Sequence, residues 1–337
     1  MSLLKSLLAG GATPALTVAL AVAATATGAL AEPALIFDLG GKFDKSFNEA
    51  AFAGAQRWVE ETGGTYKELE MQSEAQREQA LRRLAETGAN PIVTTGFAFA
   101  DVLNQVAPDY PDTRFVIIDT VVEQPNVQSV VYSEPEGSYL AGILAGMSSK
   151  SGTAGFIGGM DIPLIHKFQC GYAQGFMAAR PDGKIVTNFT GTTPAAWNDP
   201  VKGAELARAQ ISQGADVIYA AAGGTGIGVL QSAADANVLS VGVDSNQNHL
   251  HPGKVLTSVL KRVDNSVYEA FKAGTAVEPG VKVMDLKSDG VGLAMDDNNK
   301  PLITPEMMAA VEDATAKIVA GETKVHDYMT DNACPAG

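Results

Sequence analysis

The stretch ALIFDLGGKFDKSFNEAAFAGAQRWVEETGG, residues 34–64, decides the fold class. Its first five residues are a short apolar run that ends on the carboxylate of Asp38, the pattern of a strand buried on both faces. Two glycines and a polar loop follow. Ser46 and Glu49 then supply the S-x-x-E spacing of a capping box, which predicts a helix over 46–62 stopped by Gly63 and Gly64. A buried strand, a Gly-containing turn and a helix form half of a parallel crossover unit.

Working outward, the same alternation recurs. Ser73 and Gln76 open a further helix that Gly88 closes, and strands are predicted over 91–95 and 114–119, the second again ending on a carboxylate. A second series starts near Gly152, with strands over 153–157, 184–189, 216–221 and 238–244 and helices over 166–180, 200–213 and 228–237. The tail holds a strand over 255–260, a helix over 264–273, another strand and a helix over 305–320. It is too short for a third domain, so it is expected to cross between two α/β lobes and complete both. Each lobe is then a doubly wound sheet. The expected division is 1–31 as a leader, 32–128 with about 258–285 as the first lobe, and 129–257 with about 286–337 as the second.

The leader rests on Lys5, an Ala/Leu/Val stretch over 16–30 and the small-residue site Ala29-Leu30-Ala31, the signature of a cleaved secretory signal. A membrane anchor is the competing reading, but Gly10, Gly11 and Pro14 interrupt the apolar run and no basic flank follows. The expected location is the periplasm, without a lipid anchor, because no Cys stands at the cleavage site. With 38 acidic against 24 basic residues and a net charge of −14, the chain is ill-suited to nucleic acid or an anionic membrane, which demand clustered Lys and Arg. The two cysteines, Cys170 and Cys334, suit one disulfide in an oxidising compartment, or two unrelated thiols.

In open α/β sheets ligands sit beyond the carboxyl ends of strands. That rule singles out Asp38, then Phe47 and Asn48 at the first helix, Thr95-Gly96-Phe97, and Asp119 in the first lobe. In the second it singles out Trp197 within the loop 191–199, Gly223-Gly224-Thr225-Gly226 and Asp244, with Lys261 after the crossing strand. Phe47 reads either as a ring offered to a ligand or as helix–sheet packing. Trp197 reads as a contact surface or a loop anchor. Enzyme signatures are poor: there is no G-x-S-x-G, no P-loop, and only His249 and His251 lie close together. Gly224-Thr225-Gly226-Ile227-Gly228 approaches a dinucleotide fingerprint, but Val229 stands where the third glycine is needed. No cofactor is called for.

Five blocks carry a family resemblance: FDLGGKFDKSFN (37–48), EPEGSYLAG (134–142), AGGTG (222–226), GVDSNQ (242–247) and SVLK (258–261). Their order and span resemble the BMP (basic membrane protein) family of substrate-binding proteins of ABC transporters. The resemblance implies a type I periplasmic binding protein, with two Rossmann-like lobes joined by a three-segment hinge, a monomer that docks on ABC permease subunits of the inner membrane. Several members bind purine nucleosides. By position, Phe47 matches a stacking aromatic and Trp197 falls where the family has a second, usually Phe. Asp38 and Asn48 would reach the base or its sugar, Asp244 and Lys261 would hold ribose hydroxyls, and Asp119 and Gly224 would be further cleft contacts. The larger Trp197 could crowd the sugar and suit a free base such as adenine, whereas Asp244 and Lys261 suit a vicinal diol, unless they form a structural ion pair across the hinge. The expected function is capture of a purine nucleoside or base by clamshell closure. Alternatives are another small metabolite, such as riboflavin or a sugar, or a periplasmic enzyme dependent on a nucleotide or dinucleotide.

Overall fold

The computed structural model describes residues 31–335; the expected leader lies almost wholly outside them. Two six-stranded sheets organise this region. In the first lobe β1 (Ala34–Phe37), β2 (Lys67–Glu70), β3 (Ile92–Thr94), β4 (Phe115–Ile118), β5 (Val127–Tyr132) and β11 (Gly280–Met284) lie in the order β2-β1-β3-β4-β5-β11, every pair parallel. In the second, β6 (Thr153–Met160), β7 (Lys184–Gly191), β8 (Val217–Ala221), β9 (Leu239–Asp244), β10 (Val255–Lys261) and β12 (Val291–Leu293) lie in the order β7-β6-β8-β9-β10-β12, with only β12 antiparallel. The expected repetition of architecture is therefore literal: the two sheets share one strand order.

Helices cover both faces, as buried parallel strands require. The period of two along β1 sends Leu35 and Phe37 toward α1 (Phe47–Thr62) and α8 (Val263–Ala273). It sends Ala34 and Ile36 toward α2 (Arg77–Glu86) and α3 (Ala100–Val106). In the second lobe Phe156, Tyr219 and Val241 meet α4 (Glu134–Ser148), α5 (Pro163–Ala179) and α9 (Pro305–Val319). Ile157, Ile218 and Ala220 meet α6 (Pro200–Ser212) and α7 (Gly226–Asp235) on the other face.

The chain changes lobe three times, between β5 and α4, between β10 and α8, and between β11 and β12. The expected boundaries at 128/129 and 257/258 fall inside β5 and β10, because each strand runs its full length in its own sheet before the chain leaves. Two local expectations also change. Helix α5 opens at Pro163 rather than near residue 166, since proline is favoured at a first helical position. The capping box at Ser46 and Glu49 is replaced by Asp44, whose carboxylate accepts from the backbone N–H groups of Ser46 (2.8 Å), Asn48 (3.0 Å) and Glu49 (3.1 Å). Lys45, at φ 61°, makes that turn, and the Ser46 hydroxyl is released for another partner. Cys170 on α5 and Cys334 are joined as a disulfide with Cα atoms 5.4 Å apart. No helix among the described residues is long and apolar enough to cross a membrane.

Candidate functional site

A pocket lies at the carboxyl ends of strands from both sheets, enclosing about 660 Å³ of non-protein space with its mouth included. Such crevices are where doubly wound sheets bind ligands. One wall belongs to the first lobe. Phe47, the first residue of α1, is half-buried, with its ring packed on the core beneath α1 and α8 while also lining the pocket. Asp38 follows β1 but is not a free acceptor, since Arg77 at the start of α2 grips its Oδ1 through Nη2 (2.8 Å) and Nε (3.2 Å). Burial raises the Asp38 pKa, and Arg77 works against that rise. Gly96 passes close by at φ 96°, where a Cβ would stand 3.2 Å from Asp38 Oδ2.

Asn48 also lines the pocket, yet its amide is engaged. Nδ2 donates to Asp38 O (3.2 Å) and Gly41 O (3.1 Å), while Oδ1 accepts from Thr95 Oγ1 (2.9 Å). With both amide hydrogens used, Asn48 braces the loop between β1 and α1.

The opposite wall carries Trp197, at the end of a 3-10 turn spanning Pro194–Trp197. Thr225 Oγ1 fixes that turn by donating to Ala196 O (2.8 Å) and accepting from Asp199 N (2.7 Å). The indole lies on Gly159 of β6, where any Cβ would collide with its six-membered ring. The missing side chain of Gly159 is therefore what makes room for the indole at the sheet end. Of the run Gly223-Gly224-Thr225-Gly226, the residue that lines the pocket is Gly223, at φ 55°, and not Gly224. Gly224 sits beneath, where a Cβ would lie 3.2 Å from Trp197 O and 3.7 Å from Asp44 Cβ.

The deep end holds charge. Asp119 and Asp244 terminate β4 and β9 in left-handed backbone, at φ 79° and 62°, a conformation that Asp tolerates better than most residues. Lys261, buried at the end of β10, reaches Asp119 Oδ1 at 2.6 Å and Glu134 Oε1 at 3.0 Å. Burial alone would lower its pKa, but Asp119, Glu134 and Asp244 hold it above the ordinary lysine value. The ion pair across the hinge thus joins Lys261 to Asp119, and Asp244 takes a different partner. Ser46 Oγ donates to Asp244 Oδ2 at 2.6 Å, linking the lobes. Burial pushes Asp244 up to about 7, against the pull of Lys261 and Ser46.

Of the eight residues to which the family resemblance gives a ligand role, seven line one pocket and Gly224 does not. Sequence reasoning passed over Asp44 and Phe168, which line it, and Glu134, which does not. Asp44 sits inside the quoted opening stretch, in a D-x-x-x pattern that competes with Ser46 as helix cap. Glu134 offered only its place as the first residue of a helix whose apolar positions run all round. Phe168 is one of many apolar residues on α5, and nothing in spacing separates it from core.

Comparison with known proteins bears on this site. A family model described as "ABC transporter substrate-binding protein PnrA-like", named Bmp, matches residues 32–328. A protein of Lactococcus lactis named "ABC transporter nucleoside-binding protein BmpA" is 32% identical, with 87% of this chain and 88% of that protein covered. The "CD4+ T-cell-stimulating antigen" of Listeria monocytogenes is also 32% identical, covering 87% of each. Among solved structures, an ABC transporter solute-binding protein from Aeropyrum pernix superposes with a TM-score of 0.80 at 28% identity, over 88% of this chain and 93% of that one. The two lobes are those of type I solute-binding proteins, and the chain belongs to the Bmp family of PnrA-like substrate-binding proteins of ABC transporters.

Proposed function

We propose that this protein captures a purine nucleoside or a free purine base and delivers it to the permease subunits of an ABC importer. What carries the reading is that Phe47 and Trp197, one ring from each lobe, line a single pocket whose deep end holds Asp119, Asp244 and Lys261. Neither ring is paired with another aromatic side chain among the described residues. Both therefore have a face to offer to a flat heterocycle, and such stacking contributes roughly 0.5–1.5 kcal/mol per pair beyond burial. The carboxylate of Asp244 accepts hydrogen bonds from a vicinal diol while the Lys261 ammonium donates to the same hydroxyls. The Lactococcus lactis relative, named as nucleoside-binding, lends the same direction.

Capture proceeds by closure of the lobes about the three crossings, which brings Trp197 over the ring already resting on Phe47. The bonds from Ser46 to Asp244 and from Ser245 Oγ to Ser46 O (2.7 Å) hold the closed form. The leader over 1–31 exports the chain to the periplasm as a free monomer, in contrast to relatives in Pyrococcus that carry the name lipoprotein. Calorimetry with adenosine, guanosine, inosine and adenine tests the assignment. Binding near micromolar strength, about −8 kcal/mol, is expected for one or more of them. Heat from riboflavin or a sugar, with none from any purine, would overturn it.

A further inference from the structure

We infer that Glu134 and Lys167, neither of which lines the pocket, are a buried positioning pair that aims the Lys261 ammonium at the ligand's sugar hydroxyls, an inference that rests on the nucleoside reading above.

The geometry is a chain of alternating charges running inward from the pocket. Asp119 Oδ1 and Lys261 Nζ are 2.6 Å apart, Lys261 Nζ and Glu134 Oε1 3.0 Å, and Glu134 Oε2 and Lys167 Nζ 2.5 Å. Glu134 and Lys261 are almost wholly inaccessible and Lys167 nearly so. A charge that deep is tolerated only when paired and hydrogen-bonded. Within this chain of four, two carboxylates and two ammonium groups balance, and the partly exposed Asp327 stands beside Lys167 at its far end. With Lys167 removed, Glu134 and Asp119 would share one cation.

The surroundings of the two lysines separate their roles. Lys167 donates to Tyr132 O (2.7 Å), is ion-paired with Glu134 Oε2 (2.5 Å) and Asp327 Oδ2 (3.5 Å), and does not line the pocket. Lys261 is ion-paired with Asp119 and Glu134 and lines the pocket, so its ammonium can donate to a ligand there. The rings of Tyr132, Phe47 and Phe168 stand 5.0, 5.3 and 5.6 Å from its Nζ and confine the head. Two carboxylate acceptors at ion-pair distance and three ring walls fix where the ammonium sits beside the pocket. Glu134 supplies one of those acceptors, and Lys167 fixes Glu134 by holding its other oxygen.

The charge states agree with this arrangement. Burial opposes ionisation of Glu134, but Lys261 and Lys167 bring its pKa below the ordinary glutamate value. Burial likewise opposes the charge on Lys167, and Glu134 more than restores it.

Calorimetry on Lys167→Met and Glu134→Gln, with adenosine and adenine as paired ligands, tests the proposal. Adenosine carries the sugar hydroxyls that Lys261 would meet and adenine lacks them. We expect adenosine to lose about tenfold or more in affinity and adenine to change by less than about threefold. Unchanged adenosine affinity in a variant that still binds adenine overturns the proposal, and so does an equal loss for both ligands, which marks a merely structural role. A second measurement uses the wild-type protein with ¹⁵N-labelled lysine. Two ammonium signals shielded from solvent exchange and still charged at pH 10.5, where an ordinary lysine is half-titrated, are expected without ligand. Adenosine should move one of them and leave the other in place. Fewer than two such signals would overturn the pair even if both variants failed to fold. Failure of the wild type to bind any purine, with two shielded signals present, would instead fall on the nucleoside reading.

Discussion

Ser46 Oγ lies 2.6 Å from Asp244 Oδ2, and this one short bond ties the start of α1 in the first lobe to the end of β9 in the second. The same hydroxyl is 3.3 Å from Val243 O. A hydroxyl has one proton to give. When Asp244 is ionised, that proton goes to the carboxylate, and Val243 O keeps the bond it accepts from Ser245 N (2.8 Å). When Asp244 is protonated, the carboxyl can donate to Ser46 and Ser46 to Val243 O, so every group is served. The contact between the lobes therefore holds in both states.

A pH dependence follows. Burial raises Asp244 from 3.8 to about 7, while Lys261 and Ser46 pull it down and Asp44 and Asp119 push it up. Asp44, raised by its own burial to about 6, acts in the same direction. Between the unfolded and folded values the folded protein binds more protons, so its stability is greatest at the acid end and declines as pH rises toward 7. The melting temperature of ligand-free protein should fall from pH 5 to 8, and Asp244→Asn should flatten that fall. A wild-type melting temperature that rises over the window would contradict the assignment of Asp244.

Gly159 offers a test of the Trp197 platform that touches no ligand-facing group. A methyl at this position would occupy the place of the indole ring, and the ring would have to leave the sheet end. Gly159→Ala and Trp197→Ala should each weaken purine binding by more than about tenfold, or 1.4 kcal/mol. Calorimetry checks both. Wild-type affinity in Gly159→Ala would show that the indole's seat does not matter to the ligand.

The Cys170–Cys334 bridge closes a loop with a sequence separation of 164 residues. A cross-link of that span restricts the unfolded chain strongly, and its loss typically costs about 2–4 kcal/mol. It also releases the segment that presents Asp327 to Lys167 at 3.5 Å. Cys170→Ser with Cys334→Ser should lower the unfolding free energy from urea titration by that amount. Stability equal to the wild type's in oxidising buffer would show that the bridge contributes nothing.

What could be read from the sequence follows from where physical signals are local. Strand ends are local: Asp38, Asp119, Asp244 and Lys261 each close a β-branched or apolar run, and the rule about carboxyl ends carries them to one pocket. Pairings are not. Nothing along the chain says that Lys261 meets Asp119 and Glu134 and leaves Asp244 to Ser46, because these contacts join segments more than a hundred residues apart. Helix α4 escaped notice for a related reason. It is buried around most of its circumference and so shows no 3.6-residue period. Within Gly223-Gly224-Thr225-Gly226 it is Gly223 that lines the pocket, since a run of adjacent glycines does not reveal which peptide borders the crevice.

Helices α4 and α5 supply the last prediction. Gly142 and Gly146 lie one turn apart on α4, and Gly171 and Gly175 one turn apart on α5. A Cβ on Gly142 would strike Tyr172 O, and one on Gly175 would strike Tyr139 O. Each helix thus presses its backbone into the gap left by the other's missing side chains, a packing in which neither partner has a flexible chain to move aside. Elsewhere in a helix, Gly→Ala gains about 1 kcal/mol from backbone propensity. Here the collision is with main-chain atoms, and overpacking of this kind costs about 1–3 kcal/mol or more. Gly175→Ala should therefore lower the urea midpoint, by an amount worth up to about 2 kcal/mol net of the propensity gain. A midpoint that rises would mean that α4 and α5 stand further apart than their glycines allow, and the pocket residues carried by α5, Ile165 and Phe168 among them, would have to be placed anew.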